Sequence, residues 1–146
     1  MVNRSMTSGD PVPRGDLRAQ LRRLGSVPGL SDAPVATLRA MLEAGHVVGI
    51  RPHWALLAEG TPADKAYVVL DGQVDVRRRG EVLGRCRPGE FLGELGIVRR
   101  RLRSATVVTA SAVTALHLDR AAFERLHEQD AYFRALVGEA MLRKTA

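Results

Sequence analysis

Glu94 and Arg103 lie nine residues apart in Phe91-Leu92-Gly93-Glu94-Leu95-Gly96 and Arg103-Ser104-Ala105-Thr106, a stretch that offers one carboxylate, one guanidinium and several backbone N–H groups. Such a set selects its ligand by chemistry. The carboxylate needs a hydroxyl that donates to it, and the planar guanidinium needs a pair of anionic oxygens. A cyclic ribose-phosphate carries both, close together. Taken without its neighbours, a Glu and an Arg at this spacing would be a surface ion pair. No other stretch of the sequence makes so specific a demand.

The charge around this segment is uneven. Among the 22 lysines and arginines only Lys65 and Lys144 are lysines, and residues 77–103 hold nine arginines against three glutamates. That local excess of +6 equals the net charge of the whole chain, so the remainder is neutral. A concentrated positive field attracts small anions, nucleic acid or acidic surfaces. Arg99, Arg100 and Arg101 read first as a solvated turn, with a positive funnel for an anion as the sharper alternative. Arg77, Arg78 and Arg79 read as exposed hairpin residues that aid solubility. With 4% aromatic residues and no aromatic interleaving, the chain lacks stacking platforms for nucleic acid.

Other chemistries find little support. A single cysteine, Cys86, excludes an internal disulfide and Cys-rich metal sites, and on a strand it reads as a small buried hydrophobe. The histidines His46, His53, His117 and His127 are too scattered for a metal-binding roll; His117 reads as a strand residue and the others as surface. No nucleophile–base pairing or catalytic carboxylate pair emerges, so an enzyme is not expected. Neither a secretory leader nor a run of ~20 apolar residues is visible, which makes a cytoplasmic location the default.

Elements must hold the segment in place. The 146 residues suit one domain, preceded by a flexible arm at residues 1–15. Asp16 caps a first helix with Leu17, Leu21 and Leu24 on one face and Gly25 as its stop. Ser31 caps a second, with Val35, Leu38 and Leu42 as its stripe and Gly45 at its end. From about 46 to 118 the period shortens. Tyr67-Val68-Val69-Leu70 is a buried strand, Asp71-Gly72 a hairpin signal, and Val74 and Val76 alternate with polar residues. Arg79-Gly80 and Pro88-Gly89 are further tight connections, and Thr106–Leu118 breaks near Ser111. Short strands between Gly-rich turns predict a small antiparallel barrel or roll. About 119–144 is helical: Asp119 caps one helix, and Asp130 caps another that carries Tyr132, Phe133, Leu136, Val137, Ala140 and Met141.

This order of elements, with Gly93-Glu94-Leu95-Gly96 and Arg103-Ser104-Ala105-Thr106, resembles the cyclic nucleotide-binding domain of catabolite-activator-type regulators, protein kinase A regulatory subunits and cyclic-nucleotide-gated channels. Supporting landmarks are Glu59-Gly60-Thr61-Pro62-Ala63-Asp64, Tyr67-Val68-Val69-Leu70-Asp71-Gly72 and Pro88-Gly89-Glu90-Phe91. The resemblance implies an α+β fold: an antiparallel, jelly-roll-like β-roll (double-stranded β-helix), N-terminal helices and C-terminal lid helices over residues 16–146. It further implies that Glu94 accepts from the ribose 2′-OH and that Arg103 pairs with the exocyclic phosphate oxygens. The N–H groups of Leu95, Gly96 and Ala105 would face sugar and phosphate, Gly93 and Gly96 would allow close approach, and Ser104 would add a hydroxyl. The implied ligand is cAMP, with cGMP the alternative, and no cofactor is implied. The final helix would close over the base, using Tyr132, Phe133, Leu136 or Ala140. Monomer or weak homodimer is expected, with no direct DNA binding by this chain and an effector domain or partner protein to receive the signal. The rival readings are a sensor fragment of a transcription regulator or other multidomain effector, and a nucleotide-blind interaction scaffold of the same fold.

Overall fold

The computed structural model describes residues 9–13 and 15–145. Helix α1 (Leu17–Gly25) starts where the Asp16 carboxylate accepts from the N–H of Arg18, and its inner face is anchored by the buried Leu24. Leu17, expected on that face, is instead exposed. Helix α2 (Val35–Ala44) begins later than the Ser31 cap implies, at Pro34, which caps without a side-chain hydrogen bond. The intervening residues are taken up by i→i+3 turns, with Val27, Leu30 and Ala33 N–H groups donating to Leu24, Val27 and Leu30 carbonyls, which bury Val27 and Leu30. The buried face of α2 is Thr37, Leu38, Met41 and Leu42, while Val35 stays exposed.

Two sheets form the roll. In the first, β1 (Asp10–Pro11), β2 (His46–Ile50), β9 (Val113–Asp119), β4 (Lys65–Asp71) and β7 (Phe91–Leu92) lie in the order β1-β2-β9-β4-β7. In the second, β3 (Ala55–Leu57), β8 (Thr106–Thr109), β5 (Val74–Arg78) and β6 (Glu81–Cys86) lie in the order β3-β8-β5-β6. All described pairings are antiparallel, and the roll is not a closed barrel. The unbroken apolar run Ala66–Leu70 makes sense here: β4 pairs β9 on one side and β7 on the other, with helices on one face and the roll interior on the other.

Three connections differ from expectation or refine it. Asp71-Gly72 does not close a hairpin, because β4 and β5 belong to different sheets. Gly72 at φ 91° turns the chain across, where a Cβ would lie 2.3 Å from the Ala112 carbonyl oxygen. Arg79-Gly80 is a two-residue hairpin with both φ values positive, 53° and 84°, as a type I′ turn requires. Part of the expected arm is paired: Asp10 and Pro11 sit opposite Gly49 and Val48 on the edge of β2, while residues 1–8 and 14 of that arm lie outside the described residues.

The C-terminal helices are α4 (Arg120–Gln129) and α5 (Ala131–Thr145). Asp119 caps α4 by accepting from the Ala122 N–H at 2.8 Å, and Asp130 caps α5 by accepting from Phe133 at 2.9 Å. Phe133 stacks edge-to-face on Phe123 and on Phe91, with ring centroids 5.5 and 5.7 Å apart. This aromatic ladder ties both helices to β7, the strand that leads into the Glu94 segment.

Candidate functional site

Helix α3 (Glu94–Arg99) is a short helix entered through Gly93, which sits at φ 84°. Its approach is fixed by β7, where Leu92 and Phe91 pair with Tyr67 and Val68. At the far end Arg100 turns left-handed at φ 53°, and the Arg101 N–H closes back on the Gly96 carbonyl at 3.0 Å. The chain then runs beside the loop before β4. The Arg103 N–H donates to Thr61 O and the Gly60 N–H donates to Arg103 O, both at 2.8 Å. Arg103 is therefore clamped through its backbone before its side chain does anything.

That side chain is buried. Its Nη1 donates to the Gly93 carbonyl at 2.7 Å, its Nη2 donates to the Lys65 carbonyl, and Asp64 Oδ1 lies 3.9 Å away. Burial lowers the guanidinium pKa while Asp64 opposes the shift, and an arginine remains charged regardless. Lys65 is likewise lowered by burial, with Asp64 raising it and Arg103 adding to the fall.

Glu94 is 0% exposed. Its Oε1 accepts from Lys144 Nζ of α5 at 2.6 Å, and the same ammonium donates to the Phe91 carbonyl at 2.7 Å. Its Oε2 is buried with no hydrogen-bond partner.

Gly93, Glu94, Leu95, Gly96, Arg103, Ser104 and Ala105 all border one cavity of about 490 Å³ between the two sheets and the end of α5. That volume falls in the range of small-molecule sites. Glu94 and Arg103 are buried in its floor, Ser104 is exposed at its rim, and a Cβ on Gly96 would lie 3.0 Å from that of Ala63. Of the four lid candidates only Ala140 borders the cavity. Phe133 is committed to the aromatic ladder, and Tyr132 and Leu136 lie elsewhere on α5.

Several cavity residues escaped the sequence reading. Arg78 belongs to the site and not simply to a solubilising hairpin: its Nε donates to the Ser104 carbonyl at 3.0 Å. Arg85 borders the cavity while donating at 2.9 Å to Asp75, which is buried within β5 where alternation predicted exposure. Arg143 and Lys144 complete the cationic rim, together with Arg101, which the sequence offered as part of a positive funnel. Cys86 lies on the β6 wall, and burial pushes its thiol up to about 12 against the opposing pull of Lys144. The charge excess of residues 77–103 signalled the first of these, but nothing local marked Lys144. His127, expected at the surface, is half-buried and stacked on Phe123. Among the described residues no cluster of His, Cys, Asp and Glu is suited to a metal ion, and no helix is long and apolar enough to cross a membrane.

The chain is 35% identical over 74 residues to the cGMP-dependent protein kinase egl-4 of Caenorhabditis elegans, and matches its Caenorhabditis briggsae counterpart equally. Those matches span 51% of this chain but 10% of each kinase. The fold is similar to the regulatory domain of Toxoplasma gondii PKA with cAMP, with a TM-score of 0.70 and 17% identity over 86% of this chain and 49% of that one. It is also similar to a PKAR CBD2 structure with bound Sp-2Cl-cAMPS, with a TM-score of 0.66 and 19% identity over 84% of this chain and 92% of that one. Residues 47–130 match the model of the cyclic nucleotide-binding domain, and the chain belongs to that family.

Proposed function

We propose that this chain is a cytoplasmic sensor domain for a cyclic nucleotide, cAMP in preference to cGMP, and is not itself catalytic. One observation carries the reading: a buried carboxylate and a buried guanidinium, Glu94 and Arg103, share the floor of a cavity rimmed by Arg78, Arg85, Arg101 and Arg143. In this reading the ribose 2′-OH donates to Glu94 and the phosphate oxygens accept from Arg103. N–H groups of Leu95, Gly96 and Ala105 line the sugar-phosphate, and the Ser104 hydroxyl reaches it from the rim. The base lies along Val76, Leu83, Cys86 and Ala140. This wall is mostly apolar, its thiol is protonated at neutral pH, and Arg85 is already held by Asp75. It suits adenine better than guanine, whose extra polar groups would lose water without gaining partners. The effector lies outside the matched domain, since the kinase relatives extend far beyond it.

Calorimetric titration with cAMP and cGMP tests the reading: heat with cAMP and weaker binding of cGMP are expected, and no heat with either sinks it. One observation favours a second reading, a nucleotide-blind scaffold. Both charged groups already have protein partners, Lys144 for Glu94 and the Gly93 and Lys65 carbonyls for Arg103. A scaffold would keep its partner when Arg103→Leu is made, whereas a sensor would lose its nucleotide response.

A further inference from the structure

The carboxylate assigned to the ligand is covered by the protein's own chain. Lys144 Nζ stands 2.6 Å from Glu94 Oε1 and 2.7 Å from the Phe91 carbonyl, donating where a sugar hydroxyl would donate. The covering is incomplete in its chemistry, because Glu94 Oε2 is buried and lacks any hydrogen-bond partner. It is also weakly anchored. Lys144 is 32% exposed at its side chain, so its ammonium can return to water without crossing apolar protein. Beyond Ala140, Met141 is half-buried against the core while Leu142 and Arg143 are exposed, and Gly138, with open space around it, lowers the helix propensity one turn earlier.

Resting on the reading of Glu94 as a ligand carboxylate, we infer that Lys144 is an internal competitor for the nucleotide ribose, a latch that holds the last turn of α5 over the site. Glu94 is 0% exposed, so a ligand hydroxyl reaches its carboxylate only when the ammonium covering it moves aside, and nucleotide entry thereby releases the end of α5 from the cassette. The direction is opposite to a helix drawn shut by ligand. Binding is converted into freedom of the last turn of α5. The apparent affinity is then reduced by the fraction of molecules that are latched.

Lys144→Met keeps the aliphatic stem and removes the competing donor. Titration of the wild-type chain and the variant with cAMP and cGMP, with hydrogen exchange of residues 140–144 measured in parallel, decides the matter. With about nine molecules in ten latched, the variant binds roughly tenfold tighter than wild type. Exchange of the last turn rises on cAMP addition in the wild type and is already fast in the unliganded variant. Equal or weaker binding by Lys144→Met, or slower exchange on cAMP addition, overturns the latch and leaves the site reading standing. If neither protein gives heat with either nucleotide, the site reading itself is wrong and the latch falls with it.

Discussion

Arg103 Nη1 donates to the Gly93 carbonyl at 2.7 Å, so the residue that opens α3 also seats the arginine that closes the segment. Gly93 is at φ 84°, and a Cβ there would lie 2.7 Å from that same Nη1 and 3.0 Å from the Lys65 carbonyl oxygen. Gly93→Ala therefore combines about 1–2 kcal/mol of left-handed backbone strain with displacement of the guanidinium. Nucleotide affinity should fall about tenfold or more by calorimetry, which is ~1.4 kcal/mol of binding free energy. Gly80→Ala is the matched control: its φ is also 84°, yet nothing lies within 4 Å of the added Cβ. It should lower thermal stability by a similar strain and leave affinity unchanged.

Replacing Arg103 by lysine keeps the charge but not the fork. One ammonium cannot span the Gly93 and Lys65 carbonyls and also offer a planar pair of donors to phosphate. Arg103→Lys should weaken cAMP binding at least about tenfold and cost roughly 1–3 kcal/mol of stability for the buried acceptor left unpaired. Arg78→Gln removes a rim charge and the contact to Ser104 O without touching the floor. Its effect should appear mainly in the association rate and should shrink as salt is raised. Equal losses for the two variants would contradict the division between floor and rim.

At the helical end, Asp130 closes α4 and opens α5, and both of its carboxylate oxygens lie 3.1 Å from the hydroxyl of buried Thr37 on α2. Three helices meet at one side chain. Asp130→Ala removes an N-cap and orphans the Thr37 hydroxyl, so urea denaturation should show a loss of about 2 kcal/mol. Thr37→Val keeps the cap and should cost about half of that.

The cassette was legible because its chemistry is local: a glycine for a positive φ, a carboxylate and a guanidinium within one short segment. The roll was legible as short strands between Gly-rich turns. Pairing was not, since Asp71-Gly72 carries the composition of a hairpin turn whether the chain returns along the same sheet or crosses to the other. Capping was legible at Asp16, Asp119 and Asp130, where a side chain reaches its own helix, but not at Pro34, where buried turns upstream set the start. Lys144 stands 50 residues from Glu94 in sequence, and a lysine near a helix C-terminus has an ordinary role without it. Its place on the carboxylate depends on where α5 docks, which the aromatic ladder decides and the local sequence does not.

The same first sheet makes stability depend on pH. His117 sits on β9 between His46 on β2 and Tyr67 on β4, half-buried and edge-on to the Tyr67 ring with centroids 5.3 Å apart. Burial holds its pKa below the usual 6.5, helped by the Lys65 ammonium; Asp119 pulls the other way, His46 adds to the fall and Asp64 opposes it. In the unfolded chain the imidazole takes up its proton near 6.5, while in the folded chain it does so only at lower pH. Between those values the unfolded state binds more protons, so the contribution of His117 to folding stability is full above pH 6.5 and is lost as pH falls toward the folded pKa. His127, lowered by burial and by Arg134, adds a contribution of the same sign. Urea midpoints of the wild type should drop from about pH 7.5 to about pH 5.5, and His117→Phe, which keeps a ring against Tyr67, should flatten most of that drop. A variant as pH-sensitive as the wild type would assign the effect to groups other than His117.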